Sequence, residues 1–306
     1  MFILIKDNLR DYITARKIEL NAVIMAHYYQ PAEIQDIADF VGDSLQLARQ
    51  AAENPAQVIV CCGVKFMAES AKILSPDKSV ILPSPEAGCP MADMATAEAL
   101  RQKKAEYPGA VVVSYVNTSA EVKAESDICC TSSNAVQVIR SIPEDKLILF
   151  VPDRNLGRFV QSQTGRDMIL WGGYCPIHDK LSLEDIQEVR DRHPSALLVV
   201  HPECRPEVSA MADAVRSTAG LLEYIKNSPA QEFILGTEAG FIHTLKKHCP
   251  DKKIYLAYEQ FICKDMKLID LEQLAFAMET MQSRIEVDPE ISSRARQALD
   301  RMLQIS

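Results

Sequence analysis

Short runs of β-branched and aliphatic residues alternate with amphipathic stretches along the chain, and the same order occurs three times. In the first third, Asp7 to Glu19 reads as a helix and Ala22-Val-Ile-Met-Ala-His27-Tyr-Tyr29 as a buried strand with a polar aromatic end. Asp43-Ser44 opens a helix through about Glu53, Gln57 to Cys62 is a second strand, Phe66 to Leu74 a helix, and Ser79 to Leu82 a third strand running into a Pro/Gly loop with Cys89. The middle third follows suit: helix Ala92 to Glu106, strand Ala110 to Asn117, helix from Thr131-Ser132 to about Arg140, strand Lys146 to Val151, helix Leu156 to Gln163, and strand Met168 to Trp171 leading to Cys175. In the last third these become helix Leu183 to Arg192, strand Ala196 to Glu203, helix from Ser217-Thr218 to about Lys226, strand Glu232 to Leu235, helix Ala239 to Lys247, and strand Lys253 to Leu256 leading to Cys263. Two final helices, Leu271 to Met281 and Pro289 to Leu303, carry no visible chemistry and are expected to cover a sheet face or edge.

Three registers support the repeat. Cys89, Cys175 and Cys263 are 86 and 88 residues apart; His27, Tyr115 and His201, and likewise Ser44, Ser132 and Thr218, are 88 and 86 apart. That period is too long for a solenoid of roughly 20–50 residues per repeat. It predicts an α/β protein of three homologous αβα sandwiches with short parallel sheets, arranged with pseudo-threefold symmetry around a central site. The units are expected at 1–91 together with 268–306, at 92–178 and at 179–267.

Composition narrows the function. With 47% hydrophobic and 25% charged residues the chain is an ordinary globular protein, and its net charge of −9 argues against nucleic acid or an anionic membrane as partner. Its start, Met-Phe-Ile-Leu-Ile-Lys, is apolar for five residues, too few for a signal-peptide core or a membrane span, which predicts a cytoplasmic protein. Nine cysteines in a reducing compartment are then ligands or buried small hydrophobes rather than a disulfide framework. No Gly-rich dinucleotide fingerprint follows a first strand, so NAD and FAD are not expected as cofactors.

In open parallel sheets, ligands bind beyond the carboxyl ends of the strands, where all three registers fall. Residues two apart on a strand share a face, which pairs His27 with Tyr29, Tyr115 with Asn117, and His201 with Glu203. Each of them singly could merely end an apolar strand. Ser44, Thr131-Ser132 and Ser217-Thr218 read as helix caps, a role that suffices for each alone; helix N-termini also bind anions. Three loop cysteines at a constant period suggest three thiolates at one point. An iron–sulfur cluster with one open iron fits that set, and zinc with a water is the competing metal. Cys61, Cys62, Cys129, Cys130, Cys204 and Cys249 read as mostly buried or incidental, with Cys204 singled out as the neighbour of Glu203.

Ala26-His-Tyr-Tyr-Gln30, Gly42-Asp-Ser44, Gly88-Cys-Pro90, Ser114-Tyr-Val-Asn-Thr118, Gly172-Gly-Tyr-Cys175, His201-Pro-Glu-Cys204, Ser217-Thr218 and Cys263-Lys-Asp-Met-Lys267 together resemble the quinolinate synthase (NadA) family, from about residue 20 to 267. The resemblance implies one [4Fe–4S] cluster on Cys89, Cys175 and Cys263. It implies condensation of iminoaspartate with dihydroxyacetone phosphate to quinolinate, phosphate and water in NAD biosynthesis. The enzyme that supplies iminoaspartate is a candidate partner. His27, Ser44, Asn117, Ser132, His178, Ser217 and Thr218 would bind substrate, with three anionic groups for three helix N-termini. Glu203 would be the main base or acid, Tyr29 and Tyr115 its partners, and His201 an orienting group. One branch of the family carries a C-x-x-C-x-x-C run where this chain has Ala257 and Gln260 before Cys263, so the disulfide such a run permits is not expected. The alternatives are another open-iron hydro-lyase acting on a hydroxy-dicarboxylate, a non-enzymatic iron–sulfur sensor, and a zinc-binding tandem module.

Overall fold

The computed structural model describes residues 9–305. The apolar start and the first two positions of the helix expected from Asp7 lie outside them. The first unit comprises α1 (Leu9–Glu19), β1 (Ala22–His27), α2 (Ala32–Ile37), β2 (Phe40–Gly42), α3 (Ser44–Glu53), β3 (Val58–Cys62), α4 (Lys65–Leu74) and β4 (Ser79–Ile81). The second comprises α5 (Pro90–Asp93), α6 (Ala97–Glu106), β5 (Val111–Tyr115), α7 (Ala120–Ala124), β6 (Ile128–Cys130), α8 (Ala135–Ser141), β7 (Ile148–Val151), α9 (Arg154–Thr164) and β8 (Ile169–Leu170). A 3₁₀ turn (His178–Lys180) leads into the third: α10 (Leu183–Arg192), β9 (Leu197–Val200), α11 (Pro206–Met211), β10 (Ala214–Val215), α12 (Thr218–Asn227), β11 (Glu232–Gly236), α13 (Phe241–His248) and β12 (Lys253–Leu256). A second 3₁₀ turn (Asp265–Lys267), α14 (Leu271–Thr280) and α15 (Pro289–Gln304) follow.

The three sheets are parallel and share one strand order: β2-β1-β3-β4, β6-β5-β7-β8 and β10-β9-β11-β12. Their registers agree as well. Ala26 pairs with Cys62, Ser114 with Val151, and Val200 with Gly236, each at the exit of its sheet. The central strands are buried on both faces, as a parallel sheet covered by helices requires, and so read as unbroken apolar runs.

Each sheet has one more strand than the apolar pattern predicts. β2, β6 and β10 are two or three residues long, too short to show a period. A repeated aspartate holds each of them. The side chains of Asp39, Asp127 and Asp213 accept the backbone N–H of Ile24, Val112 and Leu198 at 2.8–2.9 Å. Their own N–H groups return to the carbonyls of those same residues.

Three short helices, α2, α7 and α11, one before each short strand, were not expected, and two further stretches differ from expectation. The stretch expected as one helix from Ala92 is two, because Thr96 caps α6 by accepting the Ala99 N–H. α8 begins at Ala135 rather than at Thr131, because Asn134 Oδ1 takes the Thr131 N–H and folds Thr131–Ser133 into a turn. At the C-terminus α14 packs on α1, and α15 packs on α7, on the edge strand β6 and on α4. Backbone bonds from Leu82 to Ser283 and from Ile285 to Val80 attach the segment between these helices to β4. No helix among the described residues is long and apolar enough to cross a membrane.

Candidate functional site

The carboxyl ends of all three sheets open onto one cavity. Every side chain expected to act in catalysis, bind substrate or hold the cluster lines it except Ser217. Ser217 sits behind, capping α12 through the Gly220 N–H and touching the Ser133 hydroxyl at 2.8 Å.

Two of the three strand-end pairs are set by their own backbones. His27 Nδ1 accepts the Tyr29 N–H at 3.2 Å, and His201 Nδ1 accepts the Glu203 N–H at 3.3 Å. Both imidazoles therefore carry their proton on Nε2, and that of His201 is directed at Ser132 Oγ, 3.2 Å away. Burial, then the neighbouring His201 and Lys267, lowers His27 to about 3; burial lowers His201 to about 3 against the opposing charge of Glu203. Both are neutral hydrogen-bonding groups at neutral pH.

These shifts carry a sign for stability. Between the ordinary histidine value and about 3, the unfolded chain binds protons that the folded chain refuses, so stability is lost as pH falls through that window. Each histidine contributes a slope that rises to about 1.4 kcal/mol per pH unit once pH is below the ordinary histidine value. The urea midpoint of the metal-free chain is expected to drop between pH 7 and 5.5, and to drop less steeply in His27→Gln. Equal slopes in the two proteins would exclude a buried neutral His27.

Glu203 is the centre of a chain of hydrogen bonds. Tyr115 donates to its Oε1 at 2.7 Å, and His178 Nδ1 approaches Oε2 at 2.8 Å. Burial would raise this carboxyl, but the neighbouring His201 and His178 and the bonds from His178 and Tyr115 outweigh it and hold the group below the usual carboxylate range. An ionised Glu203 takes the His178 Nδ1–H, leaving Nε2 to accept from Thr237 Oγ1 at 2.9 Å. Thr237 in turn accepts from Tyr29 at 2.7 Å, and Tyr29 accepts from Thr218 at 2.9 Å. The order of donors, Thr218 to Tyr29 to Thr237 to His178 to Glu203, thus follows from one charge. Burial, then the charge of Glu203, pushes both tyrosine phenols well above their ordinary value, so they are donors rather than bases. Behind Glu203, burial and the Glu203 charge raise fully buried Asp153. Of these two carboxyls, driven in opposite directions, Glu203 is the ionised one at neutral pH.

At the anion side, one expected feature changes. Asp43 caps α3 itself, accepting the N–H of Leu45 and Gln46, and its other oxygen takes the Ser133 hydroxyl at 2.6 Å. Ser44 therefore lies in the first helical turn and is not the cap. α8 starts too late for Ser132 to cap it. Of the three helix N-termini expected to meet anions, those of α3 and α12 border the cavity, through Asp43 and Ser44 and through Thr218, and each is capped by its own residue, Asp43 or Ser217. No lysine or arginine lines the cavity among the described residues. Asn117 points an unpartnered, buried Oδ1 there.

Cys89, Cys175 and Cys263 come from three separate loops, are half-buried and unpaired, and line the same cavity. Burial pushes Cys89 to about 12, Cys263 to about 11 and Cys175 well above its ordinary value. Such thiols become thiolates when a metal supplies the positive charge, so the donor set fits a group held by three cysteines. Ligand atoms of Cys175, His178 and Glu203 also lie within 4.8 Å of one another, a set that a single ion could use. Both nitrogens of His178 and both oxygens of Glu203 are already engaged, which favours the three cysteines. The other six cysteines are buried, and none lines the cavity. Cys204 Sγ turns to the Gly236 carbonyl, 3.5 Å away.

Sequence reasoning missed Thr237, Glu238, Asp153, Asp43 and Ser133. A signal existed for two of them. Asp153 and Glu238 each lie two residues beyond the equivalent exit positions Val151 and Gly236 of their central strands.

Fold and site together define an α/β enzyme of three repeated units with a three-cysteine centre. A family model described as "Quinolinate synthetase A protein" (NadA) matches residues 11–304. The chain is 55% identical to a quinolinate synthase of Desulforudis audaxviator over 98% of this chain and 99% of that one. It is 52% identical to one of Methanosarcina barkeri (94% and 95%) and 50% identical to one of Geotalea uraniireducens (98% of each). The chain belongs to the quinolinate synthase family.

Proposed function

We propose that the chain condenses iminoaspartate with dihydroxyacetone phosphate to give quinolinate, phosphate and water, a step of NAD biosynthesis. A [4Fe–4S] cluster would be held by Cys89, Cys175 and Cys263. When bound, it supplies a Lewis-acid iron with one position left open by its three-cysteine ligation. The observation that carries the reading is the meeting, in one cavity, of three unpaired cysteines with the hydrogen-bonded series from Tyr115 through Glu203 and His178 to Tyr29.

The residues divide the work by chemistry. Glu203 is the group that accepts protons from the condensing carbons. Tyr29 and Tyr115, held neutral by burial, donate to the oxygens that leave as water. His178 and Thr237 let Tyr29 and Glu203 exchange a proton without opening the cavity to solvent. The Thr218, Ser44 and Ser132 hydroxyls and the Nε2–H groups of His27 and His201 face the carboxylates and the phosphate. Asn117 Oδ1, unpartnered in the cavity wall, is a further hydrogen-bond acceptor.

The anaerobically reconstituted chain, given both substrates, is expected to form quinolinate and phosphate in equal amounts. A hydro-lyase would release no phosphate, and a sensor would turn nothing over. Ser132→Ala is expected to raise KM for one substrate about tenfold, the loss of one hydrogen bond to a charged group, with kcat little changed. Unchanged KM for both would reduce Ser132 to a support for His201.

A further inference from the structure

The 3₁₀ turn Asp265–Lys267, just after Cys263, touches three other parts of the site. Asp265 Oδ1 accepts the N–H of Gly88, next to Cys89, at 3.1 Å. The Met266 carbonyl accepts from Gln30 Nε2 at 2.9 Å. Lys267 Nζ donates to the Tyr29 carbonyl and pairs with Glu238 Oε1 at 2.7 Å. That same Oε1 accepts the Cys263 N–H at 3.1 Å, while Oε2 accepts the Gly240 N–H at 2.7 Å. The Glu238 side chain is fully buried. One carboxylate thus holds the backbone of a cysteine and the ammonium that holds the backbone of Tyr29.

Gly240 supplies independent support. Its φ of −59° is open to any residue, so backbone conformation does not require glycine there. Space does. A Cβ would come within 2.7 Å of Lys267 Nζ, 2.7 Å of the Tyr29 carbonyl and 2.9 Å of Glu238 Oε2. The glycine is fitted to the junction of those three atoms.

We propose that Glu238, Lys267 and Gly240 form a clasp that fixes Cys263 and Tyr29 in one frame, so that ligation at Cys263 sets the position of Tyr29. All three are positioning residues. The proposal rests on the reading of Cys263 as a cluster ligand and of Tyr29 as a proton donor. Ligating Cys263 immobilises the turn behind it, and Lys267 passes that constraint to the end of β1. A chain lacking its cofactor would then hold Tyr29 more loosely and bind substrate less productively.

The test is amide hydrogen exchange on the full chain, loaded and metal-free, in the wild type, Lys267→Met and Gly240→Ala, with iron and sulfide measured on each sample. Lys267 and Gly240 lie outside the cavity lining, so both variants keep every proposed ligand and proton-transfer group. In the wild type, loading is expected to slow exchange in both the 26–31 and the 260–268 segments. In both variants loading should still slow 260–268 but leave 26–31 about tenfold faster than in the loaded wild type, the effect of losing one charge-assisted hydrogen bond. Turnover should fall through kcat with iron and sulfide retained. Equal protection of 26–31 in all three loaded proteins would overturn the clasp. If the wild type takes up no iron and sulfide, the proposed function fails, and the metal-free chains still decide the clasp. There, Lys267→Met must speed exchange in both segments together; a rise in one alone, or in neither, overturns it.

Discussion

Glu203→Gln is expected to form quinolinate about 10³-fold more slowly than the unaltered chain, within the range of about 10²–10⁴ for a positioned acid or base, while its iron, sulfide and absorption spectrum are unchanged. The substitution keeps the shape of the side chain and removes its charge. One carboxylate oxygen becomes an NH₂ group, and whichever way the amide turns, either Tyr115 or His178 then meets a second donor where it had an acceptor. The charge that orders the donors from Thr218 to His178 is gone, so His178 has no reason to keep its proton on Nδ1. The defect should lie in kcat more than in KM, because Glu203 acts on protons that move only during the reaction. Near-normal turnover with an intact cluster would remove Glu203 from the chemistry.

Cys175→Ala is expected to abolish turnover and to leave less than about a tenth of the wild-type iron after anaerobic reconstitution. Two thiols cannot hold a cluster that requires at least three protein ligands when one iron is open. The loss should be specific to the ligand. Cys175 sits half-buried in a loop, so the variant should stay folded, with stability within about 1 kcal/mol of the parent. Cys249→Ala, which removes a buried thiol from outside the cavity, should keep both the cluster and the activity. Iron content near the wild-type value in Cys175→Ala would show that the metal sits elsewhere, with Cys175, His178 and Glu203 no longer a candidate set either.

The repeat was legible in the sequence because two constraints wrote it there. Strands buried on both faces must be apolar runs, and the residues at their exits must be polar if a site lies beyond them, which places His27, Tyr115 and His201 at one register and the loop cysteines at another. The short edge strands were not legible as strands, since two or three residues carry no period. Their aspartates, Asp39, Asp127 and Asp213, nonetheless repeat with the same spacing as the site residues and were a signal left unread. Thr237 and Lys267 were illegible in a stronger sense. Each acquires its role from a group distant in the chain, Thr237 from His178 and Lys267 from the Tyr29 carbonyl, and although Lys267 falls in the Cys263–Lys267 motif nothing local shows what it holds. Asp43 shows the reverse error: an Asp-Ser pair before a helix offered two caps, and the carboxylate, the stronger acceptor, took the helix N–H groups.

The central claim is that quinolinate synthesis here depends on a cluster held by three cysteines. The most direct measurement is turnover against cofactor content, on one preparation reconstituted without oxygen to a graded series of loadings. Quinolinate formation should be absent in the metal-free chain and rise in proportion to iron and acid-labile sulfide up to about four of each per chain. Full turnover in metal-free or zinc-loaded protein, or turnover that does not follow cluster content, would contradict the account.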